Sequence, residues 1–118
     1  MSIRDTIQKT VTAWPGVTER PHRFGGIQFS LGERELGHLH DDRMADLPFT
    51  RAVRDELIAA GRARPHHALP DSGWVTYRLI SDADVPGAIA LFRLSYERAV
   101  AAQQERIERS GRHDRSPA

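Results

Sequence analysis

One stretch limits what this chain can fold into more than any other. From Pro65 to Ile80 it reads PHHALPDSGWVTYRLI. Two adjacent histidines lead into a Pro-Asp-Ser-Gly segment, where Asp71 and Ser72 can bond the local backbone and Gly73 can take φ > 0. After Gly73 the side chains alternate: Val75, Tyr77 and Leu79 face one way, and Trp74, Thr76, Arg78 and Ile80 the other. The pattern predicts a hairpin with arms over residues 62–69 and 74–80. Its first arm presents imidazoles and its second builds core, so the chain must contain a sheet.

The flanking segments say what covers that sheet. Ser2 can cap a helix in which Ile3, Ile7, Val11 and Trp14 form one apolar stripe, ended by Pro15-Gly16. Residues 17–24, interrupted by Pro21, read as an edge strand or extended lead-in. Ile27, Phe29 and Leu31 alternate, Gly32-Glu33 turns the chain, and residues 35–40 (ELGHLH) return. Leu36, His38 and His40 share one face of that strand. A two- or four-residue loop puts both histidines over the core, whereas a three-residue loop turns them outward and brings Leu39 in.

Residues 41–46 read as a polar connection. A helix follows, started by Pro48 or capped by Thr50, with Val53, Leu57 and Ile58 inward and Gly61 as its stop. Ser81, Asp82 and Asp84 offer caps for a last helix carrying Val85, Ile89, Phe92, Tyr96 and Val100 at helical spacing. The expected fold is α+β: a two-layer sandwich with an antiparallel sheet of about five strands, in the order α-β-β-β-α-β-β-α. Residues 1–110 form a single domain, and 111–118 are expected to be a disordered tail.

Composition removes several function classes. The 118 residues contain no cysteine, which excludes disulfides, a thiolate nucleophile, iron–sulfur clusters and Cys-type zinc sites. Lys9 is the only lysine and lies on an ordinary amphipathic helix, so no pyridoxal or Schiff-base chemistry is expected. No G-x-G-x-x-G or G-K-[ST] occurs, so no nucleotide cofactor is expected either. The N-terminus lacks a signal-peptide core and no run is long enough to span a membrane, which makes the cytoplasm the expected location. Seventeen basic against sixteen acidic residues do not make the field of a dedicated nucleic-acid binder.

Five of the six histidines, His22, His38, His40, His66 and His67, fall between residues 22 and 67. His-x-His on a strand places two rings on one face, close enough to share an ion. His38, His40 and His66 are therefore the candidate metal ligands, with Asp41, Asp71 or Glu35 as a possible carboxylate and Zn²⁺, Fe²⁺ or Ni²⁺ as candidate ions. Because adjacent residues of a strand point oppositely, at most one of His66 and His67 should join. Without a metal, His38 or His67 could move a proton, with Asp71 or Glu35 orienting the ring. Trp74, Tyr77 and Arg23 are the candidate ligand-binding residues. Residues 32–40 also match the opening of a cupin metal motif, but Met44 and Ala45 stand where its glutamate belongs. Ser30, Ser72, Ser81 and Ser95 lack a nucleophile-elbow context. Arg20, Arg23, Arg51, Arg54, Arg62 and Arg64 could gather into a phosphate-binding rim, which keeps a DNA-binding or protein-interaction module as the alternative.

The segments AWPGV, HRFGGIQF, GERELGHLH, ADLPF, PHHALPDSGWVTY and IALFRLSYERA together resemble the bacterial and fungal small-protein family called the luciferase domain. The likeness extends from about Thr12 to Ala99. Members are largely of unknown function, so the label implies no light emission. More distantly, a His-bearing loop, W-V-T and a helix containing Ser95-Tyr96 are similar to MmcQ/YjbR-like proteins. That likeness implies a secretion-chaperone-like α+β fold and, for some members, DNA binding. The residues point to a small molecule or divalent metal held in a cleft lined by histidines and Trp74, while the resemblance implies the fold and leaves the biochemistry unassigned. Whether the protein is an enzyme stays open, as does a homo-oligomer through the C-terminal helix.

Overall fold

A computed structural model describes residues 2–40 and 43–114. Helix α1 (Ile3–Thr12) starts where Ser2 Oγ accepts the Asp5 amide, and it buries Ile7 and Val11 completely. Strands β1 (Val17–Pro21), β2 (Ile27–Leu31), β3 (Arg34–His40) and β4 (Met44–Pro48) follow, with one 3₁₀ turn over Arg23–Gly25. Helix α2 (Arg51–Ala59) is capped by Thr50, whose Oγ1 accepts the Val53 amide at 3.2 Å. Strands β5 (Arg64–Pro65) and β6 (Trp74–Arg78) precede a 3₁₀ turn over Asp82–Asp84 and helix α3 (Val85–Asp114). The Ser81 and Asp84 side chains close a reciprocal capping box at that turn.

The six strands of the described residues form one open antiparallel sheet in the order β1-β2-β3-β4-β6-β5. All three helices contribute to a single apolar cluster with one face of it. Phe29, Leu36, Leu39, Ala45, Leu47 and Val75 project into that cluster from the sheet, and Ala88, Leu91 and Phe92 meet them from α3. The rings of Phe29 and Phe92 pack edge to face at 5.4 Å. The architecture is the α+β sandwich expected from the sequence. Among the described residues, no helix is long and apolar enough to cross a membrane.

Four local expectations are corrected. The sheet has six strands rather than about five, because part of the polar connection is β4, lying centrally between β3 and β6. Its sequence, MADLP, carries a charge at its centre and a proline at its end, which hid the Ala45–Leu47 alternation. The first hairpin arm is only Arg64–Pro65, since His66 Nδ1 takes the amides of Ala68 and Leu69 and turns the chain away. Gly73 does not need a positive φ; it is small because a Cβ there would overlap the Phe49 carbonyl. The buried stripe of α3 keeps Val85, Phe92 and Tyr96 and extends over Ala88, Leu91, Ser95 and Ala99, leaving Ile89 half-buried and Val100 exposed. Small residues let α3 approach the sheet closely. The helix runs to Asp114, and residues 115–118 lie outside the described part.

The β2–β3 hairpin decides which way the histidines face. Leu31 pairs with Arg34, so the turn is the two-residue Gly32-Glu33. Below it the register slips: Ser30 pairs with Glu35, but Phe29 pairs with Gly37. Leu36 is the extra residue of a β-bulge, and beyond it the strand's faces exchange. Leu36 and Leu39 both reach the core, while His38 turns to the opposite face with Gln28. The expected link between a two-residue turn and inward histidines is thus reversed. Two residues hold the bulge. Gly37 sits at φ +151°, where a Cβ would lie 2.8 Å from both the Asp46 carbonyl oxygen and Phe92 Cε1. Buried Ser95 donates to the Leu36 carbonyl at 2.8 Å.

Candidate functional site

Strand pairing aligns one row across all six strands on the face away from the apolar cluster: Arg20, Gln28, His38, Asp46, Thr76 and Arg64. Asp46 lies near its middle and is completely buried. A carboxylate in that position is costly unless every lone pair finds a donor or a cation. Oδ1 accepts Thr76 Oγ1 at 2.7 Å. Oδ2 is ringed by imidazole nitrogens: His40 Nε2 at 2.8 Å, His67 Nε2 at 3.1 Å, His38 Nε2 at 3.3 Å and His66 Nε2 at 3.5 Å. Four Nε2 atoms therefore crowd an oxygen with about two lone pairs. Hydrogen bonds from Thr76 and the imidazoles outweigh the opposing effect of burial and hold the Asp46 carboxyl well below the usual carboxylate range.

The surrounding bonds assign the imidazoles different roles. His38 Nδ1 lies 2.7 Å from Glu35 Oε2, and its Nε2 lies 3.1 Å from His40 Nε2. Burial works against a charged ring, but bonding to Asp46 and then Glu35 prevails and raises the His38 pKa to about 9. His22 stacks on His38 at 4.1 Å, where burial and then repulsion from His38 lower its own pKa. His66 is also kept neutral, chiefly by burial. Because its Nδ1 accepts two backbone amides, its proton must reside on Nε2, aimed at Asp46. In this arrangement His66 Nε2 directs its proton toward Asp46 Oδ2, 3.5 Å away. His67 is the most open of the group, its side chain 49% exposed.

His38, His40 and Asp46 form one cluster with metal-ligand spacing, and Asp46, His66 and His67 form a second. In the first, the three donor atoms make a triangle with edges of 2.8, 3.1 and 3.3 Å. Ligands about 2.0–2.1 Å from an ion stand about 2.9 Å apart at right angles and about 3.4 Å apart at the tetrahedral angle. The triangle thus has the size of one face of a coordination polyhedron. Two imidazoles and a carboxylate on one face leave the opposite positions open. The Glu35–His38 bond matches the outer-sphere carboxylate contact that commonly orients a ligating imidazole.

The residues singled out from sequence separate into those at the cluster and those elsewhere. His38, His40, His66, His67 and Trp74 are brought together; the Trp74 ring lies 5.5 Å from His38 and 5.8 Å from His66. Both His66 and His67 join, contrary to the strand argument, because the chain has left β5 before reaching them. Tyr77 lies on the helix side of β6 and donates to the Asp84 carbonyl at 2.7 Å, so it stands on the opposite face of the sheet from Trp74 and the imidazoles. Asp71 is exposed in the β5–β6 loop beside Ser72, away from the imidazoles. Arg23 is exposed in the 3₁₀ turn, one residue from His22. Arg54 is occupied by Asp55 and by the carbonyls of Pro70 and Ser72. Asp41 lies outside the described residues. Asp46, the hub, escaped the sequence reading together with its strand; the signal was the apolar pair Ala45 and Leu47 on either side of it.

Comparison with known proteins agrees with the motif likeness. A family model described as Luciferase domain matches residues 33–95, just over half of the chain. That span contains Glu35, His38, His40, Asp46, His66, His67 and Trp74, leaving only His22 of the cluster outside. No curated protein and no solved structure matches the chain. On the family match, the chain belongs to the luciferase-domain family.

Proposed function

We propose that this protein binds one divalent transition-metal ion through His38 Nε2, His40 Nε2 and Asp46 Oδ2, and uses it on a small molecule. The observation that carries the reading is the crowding of imidazole nitrogens around one oxygen of a fully buried carboxylate. A cation relieves that crowding, since it accepts a lone pair from each ring and from the carboxylate together. The donor set suits Zn²⁺, Fe²⁺ or Ni²⁺, and its open positions leave room for water or a ligand. His67, exposed and 3.1 Å from Asp46 on the other side, is placed to exchange a proton with whatever binds there. Metal uptake releases the proton that His38 carries at neutral pH, so apparent affinity rises with pH.

Elemental analysis and calorimetric titration of protein purified without a histidine tag test the reading. The expected result is one ion per chain, a raised melting temperature, and loss of binding in His40→Ala and Asp46→Asn. Substoichiometric metal together with no thermal shift from Zn²⁺, Fe²⁺ or Ni²⁺ would remove it. A metal-free version survives in that event. His38, held charged between Glu35 and Asp46, is then a general acid at neutral pH rather than a base.

A further inference from the structure

We propose that the cleft where the ends of β3, β4 and β6 meet α3 binds an organic carboxylate with an apolar body, gripped by Arg34 and Arg98 and laid against Trp74. The cleft has a volume of about 340 Å³, within the roughly 300–1,000 Å³ range of small-molecule sites. Pro48, Phe49 and Trp74 supply apolar wall. Arg34 and Arg98 line the same space, and neither side chain has a hydrogen bond or ion pair among the described residues. Arg98 Nε is buried without a partner. A guanidinium that lines a cleft without an acceptor calls for one, and a carboxylate can take two parallel bonds from such a group.

The one carboxylate on the wall, Glu35, does not fill that role. Its Oε2 is committed to His38 Nδ1 at 2.7 Å, and it makes no ion pair with either arginine. A bare inorganic anion would leave the Phe49 and Trp74 surfaces unused, and a neutral apolar molecule would leave the guanidiniums unpaired. Trp74 also connects the cleft to the histidines, because its ring stands 5.5 Å from that of His38. An occupant resting on Trp74 therefore lies beside the proposed metal ligands. That the occupant is a substrate rests on the metal reading; that it binds does not.

Nitrogen-15 NMR titration of the whole chain with benzoate and with phenylacetate tests the inference. Saturable shifts are expected at the Trp74 indole N–H and at the amides of Arg34 and Phe49. Benzamide should bind at least tenfold more weakly than benzoate, and Arg98→Met should weaken benzoate at least tenfold. Arg62→Met/Arg64→Met should leave it unchanged. Should Arg98→Met fail to fold, Arg34→Met reads the same interaction at the other arginine. The inference is overturned if neither acid binds at millimolar concentration, if benzamide equals benzoate, or if the shifts map to Arg62 and Arg64. Adding Zn²⁺ to the same samples separates the two ideas: benzoate binding without zinc binding keeps the cleft and discards the metal.

Discussion

Replacing Gly37 with alanine tests the reasoning that connects the backbone to the site. The added methyl would sit 2.8 Å from the Asp46 carbonyl oxygen, 2.8 Å from Phe92 Cε1 and 3.1 Å from Leu47 Cγ, at a φ of +151°. Holding a non-glycine residue in such a conformation costs about 1–3 kcal/mol. Forcing a methyl into packed surroundings adds about 1–3 kcal/mol more. A loss of about 2–6 kcal/mol follows, a large share of the roughly 5–15 kcal/mol of a typical domain, with a fall in Tm on the order of 10–20 °C. Gly32→Ala is the control: its φ is +62°, but nothing lies within 4 Å of its added methyl. It should cost only about 1–2 kcal/mol. Urea denaturation in the presence of a chelator measures both without interference from metal. Because the bulge at Leu36 turns His38 to the site, zinc affinity should fall in Gly37→Ala and persist in Gly32→Ala. Equal stability of the two variants, or full zinc affinity in Gly37→Ala, would refute the claim that the bulge aims the histidines.

Ser95→Ala should cost about 1–3 kcal/mol, read from the shift in urea midpoint, because the buried Leu36 carbonyl loses its donor. The metal-free protein should lose stability on the alkaline side. His38 titrates at about 9 in the folded chain against about 6.5 unfolded, so its contribution is complete below pH 6.5 and disappears as pH rises through 9. The effect reaches up to about 3 kcal/mol, and chelated His38→Gln should show a flatter profile over pH 6–10. Asp46 acts in the opposite direction, its contribution being lost as pH falls below about 4. His66→Ala and His67→Ala should separate two roles. The first should lower stability by freeing the amides of Ala68 and Leu69, measured by hydrogen exchange. The second should leave stability nearly unchanged and alter the pH dependence of any metal-bound activity.

Periodicity alone carried the layer architecture, because it reports which side chains avoid water. Ile7 and Val11, the alternation of Ile27, Phe29 and Leu31, and the Trp74 strand all entered the apolar cluster or its edges as their spacing implied. Caps at Ser2 and Thr50 were equally local and equally readable. The concentration of histidines between residues 22 and 67 was visible in composition, as was the absence of cysteine chemistry.

Convergence was a different matter. The bulge at Leu36 is bonded by Ser95, and Phe92 leaves room only for glycine at position 37; both lie about 60 positions away, so no window around the β2–β3 turn contains the information that sets the histidines' face. Asp46 looks like a loop residue until His38 and Thr76 pair on either side of it and supply the donors that make its burial tolerable. Likewise, His66 and His67 depart from strand geometry only because the chain turns off after Pro65. The sequence by itself determined a helix-covered antiparallel sheet rich in imidazoles; only tertiary structure gathered those imidazoles around one buried carboxylate, since charge burial is decided by neighbours distant along the chain.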